Sequence, residues 1–466
     1  MAARSARGPI RLRWNVIIGS LTIIPGLIFG GVATGYLLGG LAEKHLFKGA
    51  HHLVNVVLLL LVFVMVIATA LTLAERKWSA MMQNRIGPNR ARLPGLNSPL
   101  AGVPHVITDV LKLLTKEDFV PKAASPVLFN LGPMLAFAPV FALFAIVPAG
   151  PTVEVFGQQV SMVAANPDFG LLYLFAIASL AVYGTSLAGW SSNNKFALLG
   201  GVRASSQMIS YEVALGLGLV GMMIAFSTVR LAGADGMSDL QSHYLPGWST
   251  RIGSFDIGVP QWGIFLQPIG FILFFAAAFA ETKRAPFDVP EGESEIIGYF
   301  VEYSGMKFGL FMIAEFVEVV VLSGVLIAIF FGGPYLPFGN EWLKSLFSAD
   351  WQWLYGSILG TVFWLKVVLL CYLQLAIRWT FPRFRYDQIQ SLGWKILLPL
   401  GLANVFISGA LILWDPSLRW LAIAGGLEIL VLVALTLTPA PANARIDAHI
   451  IKREPEDGHA AHAGHH

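Results

Sequence analysis

Charged residues are scarce in this chain. They make up 13% of its 466 residues, whereas hydrophobic residues make up 56%. A soluble protein usually has about 25% charged residues, so the composition excludes an ordinary water-soluble protein. The apolar runs recur from end to end without a soluble-looking block, and we therefore expect one membrane domain rather than two or three soluble ones.

Cysteine is almost absent. The single cysteine, Cys371, lies in an apolar run. One thiol can form neither a disulfide framework nor a cysteine-ligated iron–sulfur cluster within the chain, so any such cluster must belong to a partner. The net charge of +3 is also small, and the basic residues form no patch interleaved with aromatic residues. Nucleic-acid binding therefore has little support.

Ten apolar runs are long enough to cross the roughly 30 Å hydrocarbon core as helices. They lie near residues 14–41, 52–74, 126–148, 169–189, 207–229, 262–281, 308–331, 354–378, 393–414 and 418–438. The first run follows four arginines, as a signal peptide would, but it is long and lacks an obvious small-residue cleavage site. We expect it to be a retained span. The sequence thus predicts an all-α polytopic membrane protein.

Lysine and arginine are distributed unequally between the two sides of these spans. Twenty-three lie in the terminal segments and in alternate connections on one side, and six lie in the connections on the other side. Cytoplasmic connections retain an excess of basic residues. Both termini are therefore predicted to be cytoplasmic.

Two segments outside the spans have recognisable character. Val103, Ile107, Val110 and Leu114 recur at helical spacing, which predicts an amphipathic helix along the cytoplasmic membrane surface. The tail at 439–466 is polar and rich in histidine near its end. Such a tail can bind metal, but without defined geometry a solvated tail or a purification remnant is favoured, and we assign no metal site to it.

Six acids lie within 22 residues between the sixth and seventh spans. They are Glu281, Asp288, Glu291, Glu293, Glu295 and Glu302, and the only basic residues among them are Lys283 and Arg284. Crowding and desolvation raise carboxyl pKa values, so such a cluster can share protons near neutral pH. A solvated charged turn is the common alternative. The loop's prolines and glycines among apolar residues favour a function in proton uptake or exchange.

Acids inside predicted spans extend this loop toward the membrane interior. Glu212 lies five residues into its span and Glu315 seven, or about 7 and 10 Å along a helix. Ionisable groups in lipid are costly and are functional candidates by default. With Glu281 they could form a polar path from the loop toward mid-membrane, which Glu318 would extend. For Glu318 and Glu428, a structural pairing inside the bundle is an equal alternative.

The segment at 75–92 reads ERKWSAMMQNRIGPNRAR directly after a span. Positive-inside anchoring explains most of its basic residues. It does not explain the adjacent pair Glu75 and Arg76 at the membrane boundary or the Gly-Pro-Asn turn. These features favour a binding site.

Three long motifs connect these observations to a known family. ERKWSAMMQNRIGPNR, SSNNKFALLGGVRASSQMISYE and ETKRAPFDVPEGESE followed by EYSGMKFGLFMIAEF resemble the quinone-site H subunit of bacterial NADH-quinone oxidoreductase, respiratory complex I. TDVLKLLTKED and FPRFRYDQIQSLGWKILLP are similar to that family as well. The resemblance covers roughly residues 52–414, in the family's order.

The resemblance implies an eight-helix subunit that joins the hydrophilic and membrane arms and forms most of the channel through which quinone enters. It implies no catalysis by this chain alone, with FMN and iron–sulfur clusters held by partner subunits. The implied residues of the quinone channel are Glu75, Arg76, Arg85, Asp109 and Lys112. The implied proton-coupling acids are Glu212, Glu281, Asp288, Glu291, Glu293, Glu295, Glu302 and Glu315, with Arg203 and Arg284 as charge partners.

The chain departs from the family in three ways. Lys283 stands where the family usually has asparagine, which adds a positive charge beside Arg284. Extra spans precede and follow the family core. Residues 1–51 hold a basic segment and an added span, and residues 52–414 form the family-like domain. Residues 415–438 form a second added span, and residues 439–466 form the polar tail. These added spans are expected to contact a partner or lipid.

The sequence leaves two other functions open. A homologous subunit of a membrane-bound hydrogenase or ferredoxin-linked complex would share the architecture but have another electron donor. An independent transporter or channel would explain the buried acids, but not the motif at 75–92 or the missing inverted repeat. The favoured prediction is a bacterial inner-membrane subunit of complex I that acts with cluster-bearing and quinone-facing hydrophilic subunits and with small and antiporter-like membrane subunits.

Overall fold

A computed structural model describes residues 14–92, 102–252, 255–292, 296–348 and 351–438. The described part of the chain is mostly helical with very little sheet, which confirms the predicted all-α polytopic class. Its helices are α1 (Trp14–His45), α2 (Ala50–Met82), α3 (Pro104–Thr115), α4 (Pro126–Phe144), α5 (Gly170–Ser191), α6 (Lys195–Phe226), α7 (Met237–Leu240), α8 (Gly263–Leu266), α9 (Pro268–Glu281), α10 (Gly305–Phe330), α11 (Asn340–Ser345), α12 (Gln352–Thr380), α13 (Tyr386–Trp414) and α14 (Arg419–Leu437).

Two small antiparallel hairpins lie in the connections. β1 (Val153–Val155) pairs with β2 (Gln158–Val160), and β3 (Tyr244–Ile252) pairs with β4 (Phe255–Pro260). The first hairpin lies between α4 and α5, and the second lies between α7 and α8.

Within the described residues, nine helices are long and apolar enough to span a membrane. The sixth predicted span, 262–281, is not among them, because its helix is interrupted. Residue Gln267 leaves the helical conformation, at φ −143° and ψ 63°, and Pro268 has no N–H to continue the hydrogen-bond ladder. The two pieces, α8 and α9, together extend about 28 Å at 1.5 Å per residue, close to the thickness of the hydrocarbon core. The predicted sixth span is therefore a broken helix, and its crossing of the membrane stays a prediction.

Two helices extend farther than the sequence predicts. The apolar run of the second span ends at residue 74, but α2 continues to Met82. The fifth span is predicted to begin at 207, but α6 begins at Lys195, where the Asn194 side chain accepts a hydrogen bond from the Phe196 N–H. The predicted ends follow the loss of apolar residues, whereas helical hydrogen bonding continues past that boundary into polar sequence.

Helix α10 is the centre of the bundle. Of the 18 most apolar consecutive residues of α10, 94% are buried inside the protein, whereas in α14 the corresponding share is 11%. It contacts α2, α3, α4, α9 and α12. The acids Glu315 and Glu318 therefore lie on the most enclosed helix of the chain.

The two outermost long helices attach to different sides. α1 packs on α12 and on the start of α2, and α14 packs on α8, α9 and α13. The approach of α14 is close, because a Cβ at Gly425 would lie 2.1 Å from the Phe265 carbonyl oxygen. The predicted domain boundaries remain predictions, and the termini at 1–13 and 439–466, including the histidine-rich tail, lie outside the described residues.

The amphipathic segment forms helix α3, as its spacing predicts. Its apolar residues Val103, Ile107, Val110 and Leu114 are all exposed in the isolated chain. This face is therefore available to contact lipid or a partner surface.

Candidate functional site

The acid-rich loop is anchored to α6 and to the connection between α12 and α13. Gln207 of α6 is fully buried, and its Nε2 donates to the carbonyls of Ala280 (2.7 Å) and Phe287 (3.0 Å), on either side of the first turn of the loop. The Phe384 N–H donates to the Pro286 carbonyl. The loop is therefore held at both ends of its first turn and is not a free solvated turn.

A largely buried ion network joins the loop to three helices. Glu75 of α2 receives Arg284 of the loop at 2.7 Å and Arg378 of α12 at 2.6 Å, one on each carboxylate oxygen. The second Arg284 Nη lies 3.7 Å from Glu315 of α10. The Arg284 guanidinium also lies over the Phe316 ring, 3.9 Å from its centre. Arg284 thus links α2 and α10, and Arg378 ties α12 to the same carboxylate.

This network encloses a cavity of about 220 Å³. Four carboxylates and three cations line it, so at full ionisation the wall carries an excess negative charge. They are Glu75, Asp288, Glu291 and Glu315 with Lys283, Arg284 and Arg378. The remaining wall is largely aromatic, from Phe300, Phe308, Phe311 and Phe316. A second space of about 370 Å³ shares Asp288, Glu291, Phe300 and Arg378 with it and is also lined by Trp379 and Arg383.

The loop carboxyls have altered proton affinities. Burial, and then the neighbouring Glu315 carboxylate, raises the pKa of Glu291 well above its ordinary value. Burial also raises the pKa of Asp288, although Arg383, whose Nη2 lies 2.7 Å from the Asp288 carboxylate, opposes this. One Glu291 oxygen is buried without a hydrogen-bond partner among the described residues. Glu291 therefore holds a proton more firmly than an ordinary carboxyl does.

Deeper acids continue from this cavity. Glu318 lies one turn beyond Glu315 on α10, and its carboxylate is 3.7 Å from the Lys283 ammonium. Glu281 is buried at the end of α9, within electrostatic range of Glu318 and of Glu212 on α6. The four acids predicted to form a path are thus neighbours around the end of α9.

Other predicted coupling residues lie apart from the cavity or outside the described residues. Glu302 accepts a hydrogen bond from Asn194 at 2.6 Å, at the start of α6. The Arg203 guanidinium lies 6.0 Å from the centre of the Tyr386 ring. Glu293 and Glu295 lie outside the described residues. Among the residues that the structure describes, no group of three His, Cys, Asp or Glu side chains is arranged to hold a metal ion.

The residues predicted for the quinone channel divide into two groups. Glu75 points inward to the ion network, whereas Arg76 is exposed and pairs with Asp109 of α3 at 2.5 Å. Because α2 continues through both positions, successive side chains are about 100° apart and face different surroundings. The Arg76 pair ties α3 to the end of α2. Arg85 and Lys112 are exposed at the surface near this junction.

Several residues of the site could not be identified from the sequence. Arg378, Arg383, Tyr299 and Gln207 all contribute, and the Tyr299 hydroxyl lies 3.5 Å from Glu315. In the sequence the two arginines are only cytoplasmic basic residues, and Gln207 only marks the start of a span. A basic residue directly after a span is common for topological reasons alone, so it gives no specific signal.

Lys366, a cation inside a predicted span, has a different environment. Its ammonium donates to the carbonyls of Phe331 (2.8 Å), Gly333 (3.0 Å) and Tyr335 (2.6 Å). These carbonyls follow the end of α10, where helix C-termini favour positive charge. Lys366 therefore caps α10 at the end opposite to the ion network.

Comparison with known proteins identifies the family. The family model described as NADH dehydrogenase matches residues 54–409. The first H subunit of NADH-quinone oxidoreductase from Cytophaga hutchinsonii is 41% identical over 351 residues, which cover 75% of this chain and 93% of that protein. The H subunit from Flavobacterium johnsoniae is 37% identical over 77% of this chain and 94% of its own, and NADH-quinone oxidoreductase subunit 8 of Rhodothermus marinus is 41% identical over 73% and 91%. The match begins in α2 and ends in α13, so it contains the whole ion network. This chain therefore belongs to the family of the H subunits of NADH-quinone oxidoreductase, as the sequence motifs predict, and is a membrane subunit of an enzyme complex rather than an enzyme by itself.

Proposed function

We propose that this subunit forms the channel through which quinone enters complex I and couples quinone reduction to proton translocation. The observation that carries this proposal is the cavity enclosed by the network of Glu75, Arg284 and Arg378. It lies between an exposed junction of α2 with α3 and a chain of buried acids. An aromatic wall with a few fixed charges is typical of sites that take amphipathic small molecules.

In this proposal quinone passes from the bilayer along the junction of α2 and α3. The exposed apolar face of α3 lies on lipid, and the Arg76–Asp109 pair holds α3 against α2. Arg85 and Lys112 lie at the same surface. The residues inferred for the channel would then act by shaping its membrane opening, while Glu75 acts farther inside.

Quinone reduction consumes two electrons and two protons. The electrons come from partner subunits, which hold the FMN and the iron–sulfur clusters. This chain's loop responds through charge, since Glu291 and Asp288 hold protons more firmly than ordinary carboxyls. A change of charge or position at the loop alters the protonation of Glu291 and Asp288. The resulting change in the electrostatic field reaches four further acids on three helices, namely Glu315, Glu318, Glu281 and Glu212. The proton moves to antiporter-like partner subunits of the membrane arm.

The same reasoning gives the cellular setting. A multi-pass subunit with this distribution of basic residues lies in the bacterial inner membrane, with the acid-rich loop on the cytoplasmic side where the hydrophilic arm joins. The small membrane subunits and lipid cover its remaining apolar surface. The names of the relatives do not favour the alternative of a hydrogenase or ferredoxin-linked subunit.

The test is the substitution Glu291→Gln in the whole complex in native membranes. It keeps the size of the side chain and removes the titratable group. We expect the inhibitor-sensitive NADH:quinone rate to fall by about tenfold or more, whereas loss of a proton-transfer group usually costs about 100-fold or more. NADH:ferricyanide reduction, which needs only the partner subunits, should stay unchanged.

The matched control is Glu154→Gln, an exposed glutamate of the β1–β2 hairpin. It should match the parent in both assays. Equal quinone rates in Glu291→Gln and parent membranes would contradict the proposal.

A further inference from the structure

Lys283 lies at the junction between two cavities. It lines both the 220 Å³ loop cavity and a much smaller space of about 10 Å³. Glu315 and Phe311 are shared by the two spaces in the same way, whereas Glu318 lines only the smaller one. The smaller space continues to Thr185 of α5. Passage from the loop cavity to Glu318 therefore runs past the Lys283 side chain.

The contacts of Lys283 are directed into the protein. The residue is only 5% exposed, and its Nζ lies 3.7 Å from the Glu318 carboxylate and 3.5 Å from the Glu281 carbonyl oxygen. Its backbone has φ +54°, in the left-handed region that a side chain with a Cβ seldom occupies. Such a conformation persists only where the surrounding structure holds it. The turn after α9 thus directs a lysine inward at a conformational cost.

The charges that face Lys283 come from α9, α10 and the loop, whereas α6 contributes the uncharged Met208. Glu281 ends α9, Glu315 and Glu318 belong to α10, Glu291 belongs to the loop, and Arg284 is its neighbour of like charge. Burial by itself disfavours the ammonium, but the carboxylates, Glu318 first, outweigh it and raise the pKa of Lys283 above its ordinary value. The four acids around Lys283 therefore favour its ammonium form.

We propose that Lys283 is a positioning residue that supplies the fixed positive charge between the loop cavity and the inner acids, and so sets how readily a proton passes from Glu291 to Glu318. This inference rests on the proposed function of the loop. The step transfers one proton between carboxyl groups and needs no oxidant or reductant. Lys283 neither gives nor receives that proton. Its ammonium balances the charge of whichever neighbouring carboxylate is ionised.

The test compares Lys283→Gln and Lys283→Met, which remove the charge with different shapes, with Lys283→Arg, which retains it. Complexes in native membranes are counted by NADH:ferricyanide reduction. The quinone-linked rate is measured from about pH 6 to about pH 9, because this range spans the neutral pH at which shared protons exchange. Proton translocation is measured by the quenching of a pH-sensitive dye. Lys344→Gln, which removes an exposed lysine of α11, is the control.

Lys283 lowers the pKa of Glu291, so its removal should raise that pKa further. We therefore expect the quinone-linked pH profile of both neutral variants to move to higher pH by about one unit, the usual effect of one neighbouring charge. We expect the number of protons translocated per NADH to fall about twofold or more. Loss of the Lys283 charge changes the pKa of a neighbouring carboxyl by about one unit, which makes each proton transfer to the inner acids less favourable. Lys283→Arg and Lys344→Gln should keep the parent profile and ratio.

Two results would overturn the inference. One is a parental pH profile and translocation ratio in both neutral variants. The other is failure of both neutral variants to accumulate complex, which would assign the charge to assembly. The outcome for Glu291→Gln separates this inference from the proposed function. If that variant loses quinone-linked activity while the Lys283 variants match the parent, only the role of Lys283 fails, whereas an unaffected Glu291→Gln removes the proposed function itself.

Discussion

Glu75 is the residue at which removal of one charge should disturb the site most. It is the only carboxylate among the described residues that pairs with both Arg284 and Arg378, at 2.7 and 2.6 Å. The substitution Glu75→Gln keeps its shape and hydrogen-bonding oxygen but leaves two buried cations facing each other. Helix α12 then loses its ionic link to the loop. We expect both a less stable complex and a lower quinone-linked rate.

The size of the effect follows from burial. Opposite charges about 4 Å apart attract by about 4 kcal/mol at an effective dielectric constant near 20. Desolvation offsets much of that attraction, and removing one partner of a buried pair costs about 3 to 5 kcal/mol. The Arg284 side chain is 10% exposed and the Arg378 side chain 24%, so water partly screens the second pair. The lower value, about 3 kcal/mol, corresponds to roughly a 150-fold change in a local equilibrium.

The assay is the rate of thermal inactivation of the inhibitor-sensitive NADH:quinone activity, since large complexes unfold irreversibly and their stability is a rate. Glu75→Gln, Arg378→Gln and the double variant form a cycle that isolates the pair. The double variant should be less damaged than the sum of the two single ones, because it removes one of the unpaired cations. Additive effects within about 0.5 kcal/mol, or a parental rate in Glu75→Gln, would refute the importance of this network.

Two further predictions concern regions away from the cavity. Glu428 of α14 accepts a hydrogen bond from the Ile269 N–H at 3.3 Å, at the N-terminus of α9, so Glu428→Ala should destabilise the complex by about 1 kcal/mol, as loss of a helix cap does, and Glu428→Gln by less. We expect the complex with Glu428→Ala to lose activity on heating faster than the complex with Glu428→Gln, and equal rates would rule out the cap. Burial raises the pKa of Asp239 to about 6, although it accepts a hydrogen bond from the Tyr335 hydroxyl at 2.8 Å. The native state thus binds more protons than the unfolded state between the ordinary pKa and about pH 6, so stability falls as pH rises through this range. Asp239→Asn should slow inactivation at about pH 8 relative to the parent and have less effect at about pH 5, and an equal effect at both pH values would contradict the assignment.

The sequence by itself determined the class of the protein, most of its spans and its family. Hydropathy identifies spans because lipid admits few charges, and that rule applies residue by residue along the chain. The cluster from Glu281 to Glu302 is visible because its acids are close in sequence. Helical rise placed Glu212 and Glu315 near the same membrane surface, and long motifs identified the family. These features depend on composition or on short-range order.

Only the tertiary structure decided which charges meet. Glu75 and Arg284 are 209 residues apart in the chain, and their pairing depends on how α2 is rotated and packed against the loop that follows α9. The sequence predicts a loop from residue 75, whereas α2 continues to Met82 and therefore turns Glu75 inward and Arg76 outward. Arg378 gives no separate signal, because a basic residue after a span is explained by topology. The inward position of Lys283 likewise requires a left-handed turn and the approach of Glu318, and both arise from packing rather than from the local sequence.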